Sequence, residues 1–146
     1  MGAEFELLAP DSTRDDELGR SVALSGDTVL VGAPLIAAVY VFVRDVDRWT
    51  FLQKLEPPVA QNYSTFGWSL ALEGDTALVG EWATVLDPGR VHVFERSSGM
   101  FVLTQTLEPS VTDPPQEFGY SVSLDGDWAA VGAWNQRLRC RPRVRS

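Results

Sequence analysis

The chain has 146 residues, 45% of them hydrophobic and 22% charged, with a net charge of −8 at pH 7. That is enough for one domain with a real core, and no run of 18 apolar residues offers a membrane-spanning helix. An acidic body repels nucleic acid and anionic membranes, so neither is expected as a partner, and a single cysteine, Cys140, excludes an internal disulfide.

At the N-terminus, MGAEFELLAP has no basic region and no apolar core, so no signal peptide is read there. Residues 4–10, EFELLAP, align with the end of a strand that recurs later and are expected to form a leading strand. The first full unit opens at Leu18 with LGRSVALSGDTVLVG. Ser21 to Leu24 and Thr28 to Val31 are apolar and β-branched, and they flank Ser25-Gly26. A small or acidic residue before Gly is a hairpin signal, since Gly reaches positive φ without steric cost. VYVFVR (Val39 to Arg44) reads as a third strand and WTFLQKLEP (Trp49 to Pro57) as a fourth.

The second unit, FGWSLALEGDTALVG from Phe66, repeats this order with VHVFER (Val91 to Arg96) and FVLTQTLEP (Phe101 to Pro109). The third, FGYSVSLDGDWAAVG from Phe118, shows only its first two strands. Gly19 to Gly67 is 48 residues and Gly67 to Gly119 is 52, and the link between second and third strands holds the whole difference. Loops accept such changes while packed strands do not. A period near 50 made of short strands predicts an all-β, β-propeller-type fold of four-stranded antiparallel blades. Eleven strands are counted, about two and a half to three blades. Propellers usually need about 4–8. The chain is therefore a fragment of something longer, or copies assemble, or the sheets pack openly. Residues 1–136 make up the repeats. Residues 137–146, RLRCRPRVRS, add five arginines and no acid, break the pattern and read as a disordered basic tail.

These three registered units, each followed by VYVF or VHVF and a strand ending in Leu-Glu-Pro, resemble FG-GAP repeats, the propeller group that includes the integrin α-chain head and many bacterial surface proteins. The resemblance implies a non-enzymatic protein- or glycan-binding or adhesion module, usually of about seven blades, at the cell surface or outside the cell. Integrin-type repeats also hold calcium in a long acidic loop between first and second strands. Here that loop is only Ser25-Gly26-Asp27 or its equivalents, too short for the six to eight oxygens calcium takes, so no cofactor is expected.

Candidate chemistry is sparse. His92 occupies the slot of Tyr40 and has no second histidine or cysteine with which to build a metal or nucleophilic set. Asp27, Asp75 and Asp127 recur once per blade and read as turn formers rather than paired catalytic acids. Ser21, Ser69 and Ser121 recur with no histidine aligned to them, which points to backbone hydrogen bonding at the start of each inner strand. The non-repeated segments 33–38, 57–66, 81–90 and 109–118 should share one rim. Tyr63, Trp82, Asp87, Trp134 and Asn135 lie in or beside them as ligand-binding candidates, while Trp82 and Trp134 also suit the role of fillers between blades. A polysaccharide-active enzyme on the same scaffold, and a structural fragment without a ligand, are the rival readings. Open blade edges imply association of copies, with residues 4–10 pairing with the incomplete third unit of a neighbour or of their own chain.

Overall fold

A computed structural model describes residues 2–82, 87–110, 117–133 and 137–142, with backbone alone for 137–141. Its eleven strands form three antiparallel sheets. The first blade is β1 (Val22–Ser25), β2 (Thr28–Ala33), β3 (Ala38–Asp45) and β4 (Arg48–Leu55), in that order across the sheet. The second is β5 (Ser69–Glu73), β6 (Thr76–Glu81), β7 (Arg90–Ser97) and β8 (Met100–Leu107). The third is β9 (Phe118–Asp125), β10 (Trp128–Ala133) and β11 (Arg137–Pro142). Gly26, Gly74 and Gly126 sit at φ +56, +57 and +55, each in the tight reversal between the first two strands of its blade. The all-β repeat architecture is as the sequence predicts.

Two expectations are corrected. Residues 4–10 are not a strand. Leu7 and Ala9 instead pack on one face of the first blade, against a cluster that includes Val31, Tyr40 and Phe42. A strand needs a neighbouring edge to bond to, and no described strand pairs with this segment. The tail differs too. Arg137–Pro142 forms β11, paired with β10 from Ala133↔Arg137 to Trp128↔Pro142, where β3 and β7 stand in their blades. The open edge of β10 supplies the hydrogen-bonding template that composition alone does not reveal. Pro142 is tolerated because β11 is an outer strand and the proline is its last residue.

Each sheet alternates its side chains between two faces. One face of the first blade presents Leu30, Val39, Val41 and Leu55 to the second, which answers with Leu70, Leu72, Phe94 and Phe101 around the buried Phe66. The opposite face of the second blade, Leu78, Val91 and Val93, meets Val122 and Leu124 of the third around Phe118. The two interfaces use equivalent positions.

Three hydrogen-bonded joints run alongside this packing. Ser21 Oγ donates to the Gly67 carbonyl at 2.7 Å, and Ser69 Oγ donates to the Gly119 carbonyl at 2.7 Å. Ser21 and Ser69 are therefore inter-blade ties. The Gly74 N–H donates to Ser25 Oγ at 3.0 Å, as the Gly126 N–H does to the Glu73 carboxylate at 3.0 Å, joining successive hairpin tips. At the outer edge, Gln53 clips the backbone of Phe101, giving its amide N–H to the carbonyl (2.8 Å) and accepting from the N–H (2.9 Å). A β-bulge after Val41 sits beside this glutamine and recurs after Val93; bulges redirect strand side chains in this way.

Glycine makes the serine tie feasible. A Cβ on Gly32 would collide with the Gly67 carbonyl oxygen, and one on Gly80 with that of Gly119. Gly67 and Gly119 themselves sit at φ +93 and +92, with an added Cβ 2.7 Å from the Ala38 carbonyl and 2.6 Å from that of Arg90. Gly80→Ala should therefore cost about 2–3 kcal/mol by forcing two sheets apart. Gly74→Ala has open space at its Cβ and loses only the positive-φ preference, about 1 kcal/mol. Urea titration of both variants checks the order, and equal losses would show that the close approach is not what Gly80 provides.

Candidate functional site

The described parts of the four predicted rim segments meet at one end of the blades. Ile36 and Ala37 adjoin Pro57, Ala60 and Gln61, and a second cleft of about 300 Å³ joins Pro57, Val59 and Gln61 to Glu81, Arg90 and Glu108. The Phe118 N–H donates to the Pro88 carbonyl at 3.0 Å, so the 81–90 link reaches the third blade.

The floor of the second cleft is polar and closed. Glu81 ends β6 and His92 lies diagonally across from it on β7, both buried. His92 Nε2 is 2.7 Å from Glu81 Oε2, and its Nδ1 is 3.3 Å from Thr106 Oγ1. An ionised carboxylate only accepts, so Nε2 carries the proton, and in the neutral ring Nδ1 accepts from the threonine hydroxyl. Ser64 donates to the other Glu81 oxygen at 2.6 Å, pinning the incoming link. Burial pushes the Glu81 carboxyl up, but the hydrogen bonds from His92 and Ser64 outweigh it and hold its pKa below the ordinary 4.5. With both ring nitrogens engaged, His92 has the structural role expected of it. The first blade solves the same slot differently. Tyr40 replaces the histidine and donates to Asp11 at 2.6 Å, and Asp11 also receives Lys54 at 2.8 Å. Burial and then the bond to Asp11 push the Tyr40 hydroxyl up to about 12.

A row of side chains that sequence reasoning passed over runs across the rim. Arg20, Trp68 and Tyr120 hold the position between Gly and Ser at the head of the three units. The Arg20 guanidinium lies 4.1 Å from the Trp68 ring centroid, a cation–π distance. Trp68 then meets Trp82 at 5.3 Å and Tyr120 at 5.7 Å, and Trp82 meets Tyr120 edge-on at 5.9 Å. The signal was present as a position that differs in all three copies between an invariant glycine and an invariant serine.

Of the residues singled out beforehand, Trp82 belongs to this row. It packs between the second and third blades, and its indole N–H is buried with no partner among the described residues. Tyr63 stands apart, 89% exposed. Asp87 accepts from the Gly89 N–H at 3.0 Å and pairs with Arg90. Trp134 and Asn135 lie outside the described residues. The acids of the first two hairpin turns do not suit calcium: Asp27 and Asp75 are bound to Arg44 and Arg96 at 2.6 and 2.9 Å, so a cation would meet an arginine there.

Three antiparallel sheets stacked face to face, tied through an aromatic- or Leu-led Gly-x-Ser head, define a β-propeller-type repeat module. The chain belongs to the FG-GAP repeat family, whose model matches residues 2–42, 49–94 and 101–139. No curated protein matches it significantly. Among solved structures it is similar to the crystal structure of the computationally designed Ika4 protein, with 11% identity over 96% of this chain and 99% of that one and a TM-score of 0.41.

The Glu81 carboxylate is better stabilised in the folded than in the unfolded chain. Its contribution is present above the unfolded value of 4.5 and is lost as pH falls through the lowered folded value. Glu81→Gln should cost about 1–3 kcal/mol at neutral pH and flatten the loss of stability between roughly pH 5 and 3. Thermal melts across that range check it; an unchanged acid limb would remove Glu81 as its source.

Proposed function

We propose that this chain is a non-enzymatic interaction module that binds a protein partner across its rim through Arg20, Trp68, Trp82 and Tyr120. The carrying observation is that row, three of whose members come from one variable repeat position. Arginine, tryptophan and tyrosine are the residues most enriched among binding hot spots, and here a built frame presents them side by side, so little side-chain freedom remains to be lost on contact. Tyr63, far out on the neighbouring link, extends the same palette. The net charge of −8 favours partners with a basic or neutral face, chiefly through encounter rate.

The reading against catalysis rests on how the polar groups are used. His92 and Glu81 satisfy each other beneath the cleft, Ser21 and Ser69 are committed to ties, and Asp27 and Asp75 to arginine pairs at the hairpin turns. A glycan ligand would draw on the same aromatic faces, so protein and glycan are best separated directly.

An array of matrix proteins and glycans, read with and without a chelator, tests the proposal. Binding is expected on the protein half and unaffected by chelation. Arg20→Glu and Tyr120→Ala should each weaken it by about 10–30-fold, the size of a typical hot-spot loss. Binding confined to glycans, binding untouched by either substitution, or turnover of a polysaccharide panel would each overturn it.

A further inference from the structure

The inter-blade joint is made twice within the chain, and the two outer faces carry the separate halves of a third. On the second and third blades, Leu70, Leu72, Val122 and Leu124 are packed against the preceding blade. Their counterparts on the first blade, Val22 and Leu24, are 65% and 66% exposed. Phe51 is 42% exposed, whereas its counterpart Leu103 is packed between blades. Gly19, counterpart of the buried Gly67 and Gly119, is exposed with nothing near its Cβ position.

The far face of the third blade carries the opposite half. Leu30 and Leu78 are fully covered by the next blade, but Ala130 at the same position is only half-buried and Trp128 is 57% exposed. Ser123, Trp128 and Ala130 line a shallow groove there. Ser121, counterpart of the tie-forming Ser21 and Ser69, is exposed. Gly132 keeps its missing Cβ, yet the atoms nearest that position all belong to Ser121 of the same blade, whereas Gly32 and Gly80 face the next blade's carbonyl. Asp125 stands where Ser25 and Glu73 accept from the following hairpin tip.

We propose that the far face of the third blade receives the first blade of a second copy of this chain, head to tail, in the register of the two internal joints. Ser121 Oγ of one copy donates to the Gly19 carbonyl of the next, the Gly26 N–H of that copy donates to Asp125, and Val22, Leu24 and Phe51 cover Ser123, Trp128 and Ala130. The contact is heterologous, so it extends to a closed ring or an open filament.

Light scattering coupled to size exclusion, over rising concentration, should show masses above the 16.1 kDa protomer that grow with concentration. Two blocked variants decide the geometry. Val22→Asp with Leu24→Asp spoils the first-blade face, and Ser123→Arg spoils the third-blade face; all three positions are exposed, so circular dichroism melts should match the parent. Each variant alone should run as a protomer. Mixed, they should give a dimer and nothing larger, because one good face of each kind remains. A protomer at every concentration, a blocked variant that assembles like the parent, or a mixture that stays protomeric would overturn the proposal. Should Ser123→Arg fold poorly, Ser121→Ala provides the second arm, with a several-fold weaker self-association expected and an unchanged one counting against the register.

Discussion

The structure depends on a serine hydroxyl reaching the backbone carbonyl of the next sheet past a glycine with no side chain to obstruct it. The Ser21–Gly67 and Ser69–Gly119 contacts, both 2.7 Å, hold adjacent sheets close enough for Gly32 and Gly80 to admit no Cβ. A hydrogen bond of this kind contributes only about 1 kcal/mol net. Its importance is geometric, because it sets the register in which Leu70 and Leu72, then Val122 and Leu124, find their apolar partners. Burial provides the driving force, and the small polar tie decides which alignment it acts on.

Division of labour within each unit follows from that. The strands and their Gly-x-Ser heads are committed to the neighbouring blade, so much of the variation falls at the head's middle position, in the links and in slots that more than one side chain can satisfy. The slot beneath the rim illustrates this. Tyr40 with Asp11 and Lys54 in the first blade, and His92 with Glu81 and Thr106 in the second, satisfy one buried position with unrelated chemistry. A buried polar group must be bonded, but which group does the bonding is free.

Much of this was legible in the chain because a repeat states its own register. The hairpin glycines, the strand order and the structural duty of Ser21, Ser69 and His92 could all be read from matched positions. Gln53 was legible in principle, since Gln105 recurs in the same place before Leu-Glu-Pro. What failed was anything decided by a neighbour in space. Residues 4–10 look like a strand but lack an edge to pair with, and Arg137–Pro142 looks like a tail but lies along the open edge of β10. Arg20, Trp68 and Tyr120 were passed over because they differ from one another; only stacking the units shows that three unlike residues form one surface.

The inner and outer margins of each sheet pair are unequal in thickness. Near the inner strands, backbone meets backbone across glycine, while toward the outer strand the rings of Phe94 and Phe101 stand between the layers. Two layers pinched at one margin and propped at the other form a wedge, and identical wedges laid in succession must curve. The taper, set by hydrogen atoms at one side and phenyl groups at the other, determines how many units complete a turn, so swapping residues of different bulk at those few positions changes the curvature of the whole stack without altering any single sheet.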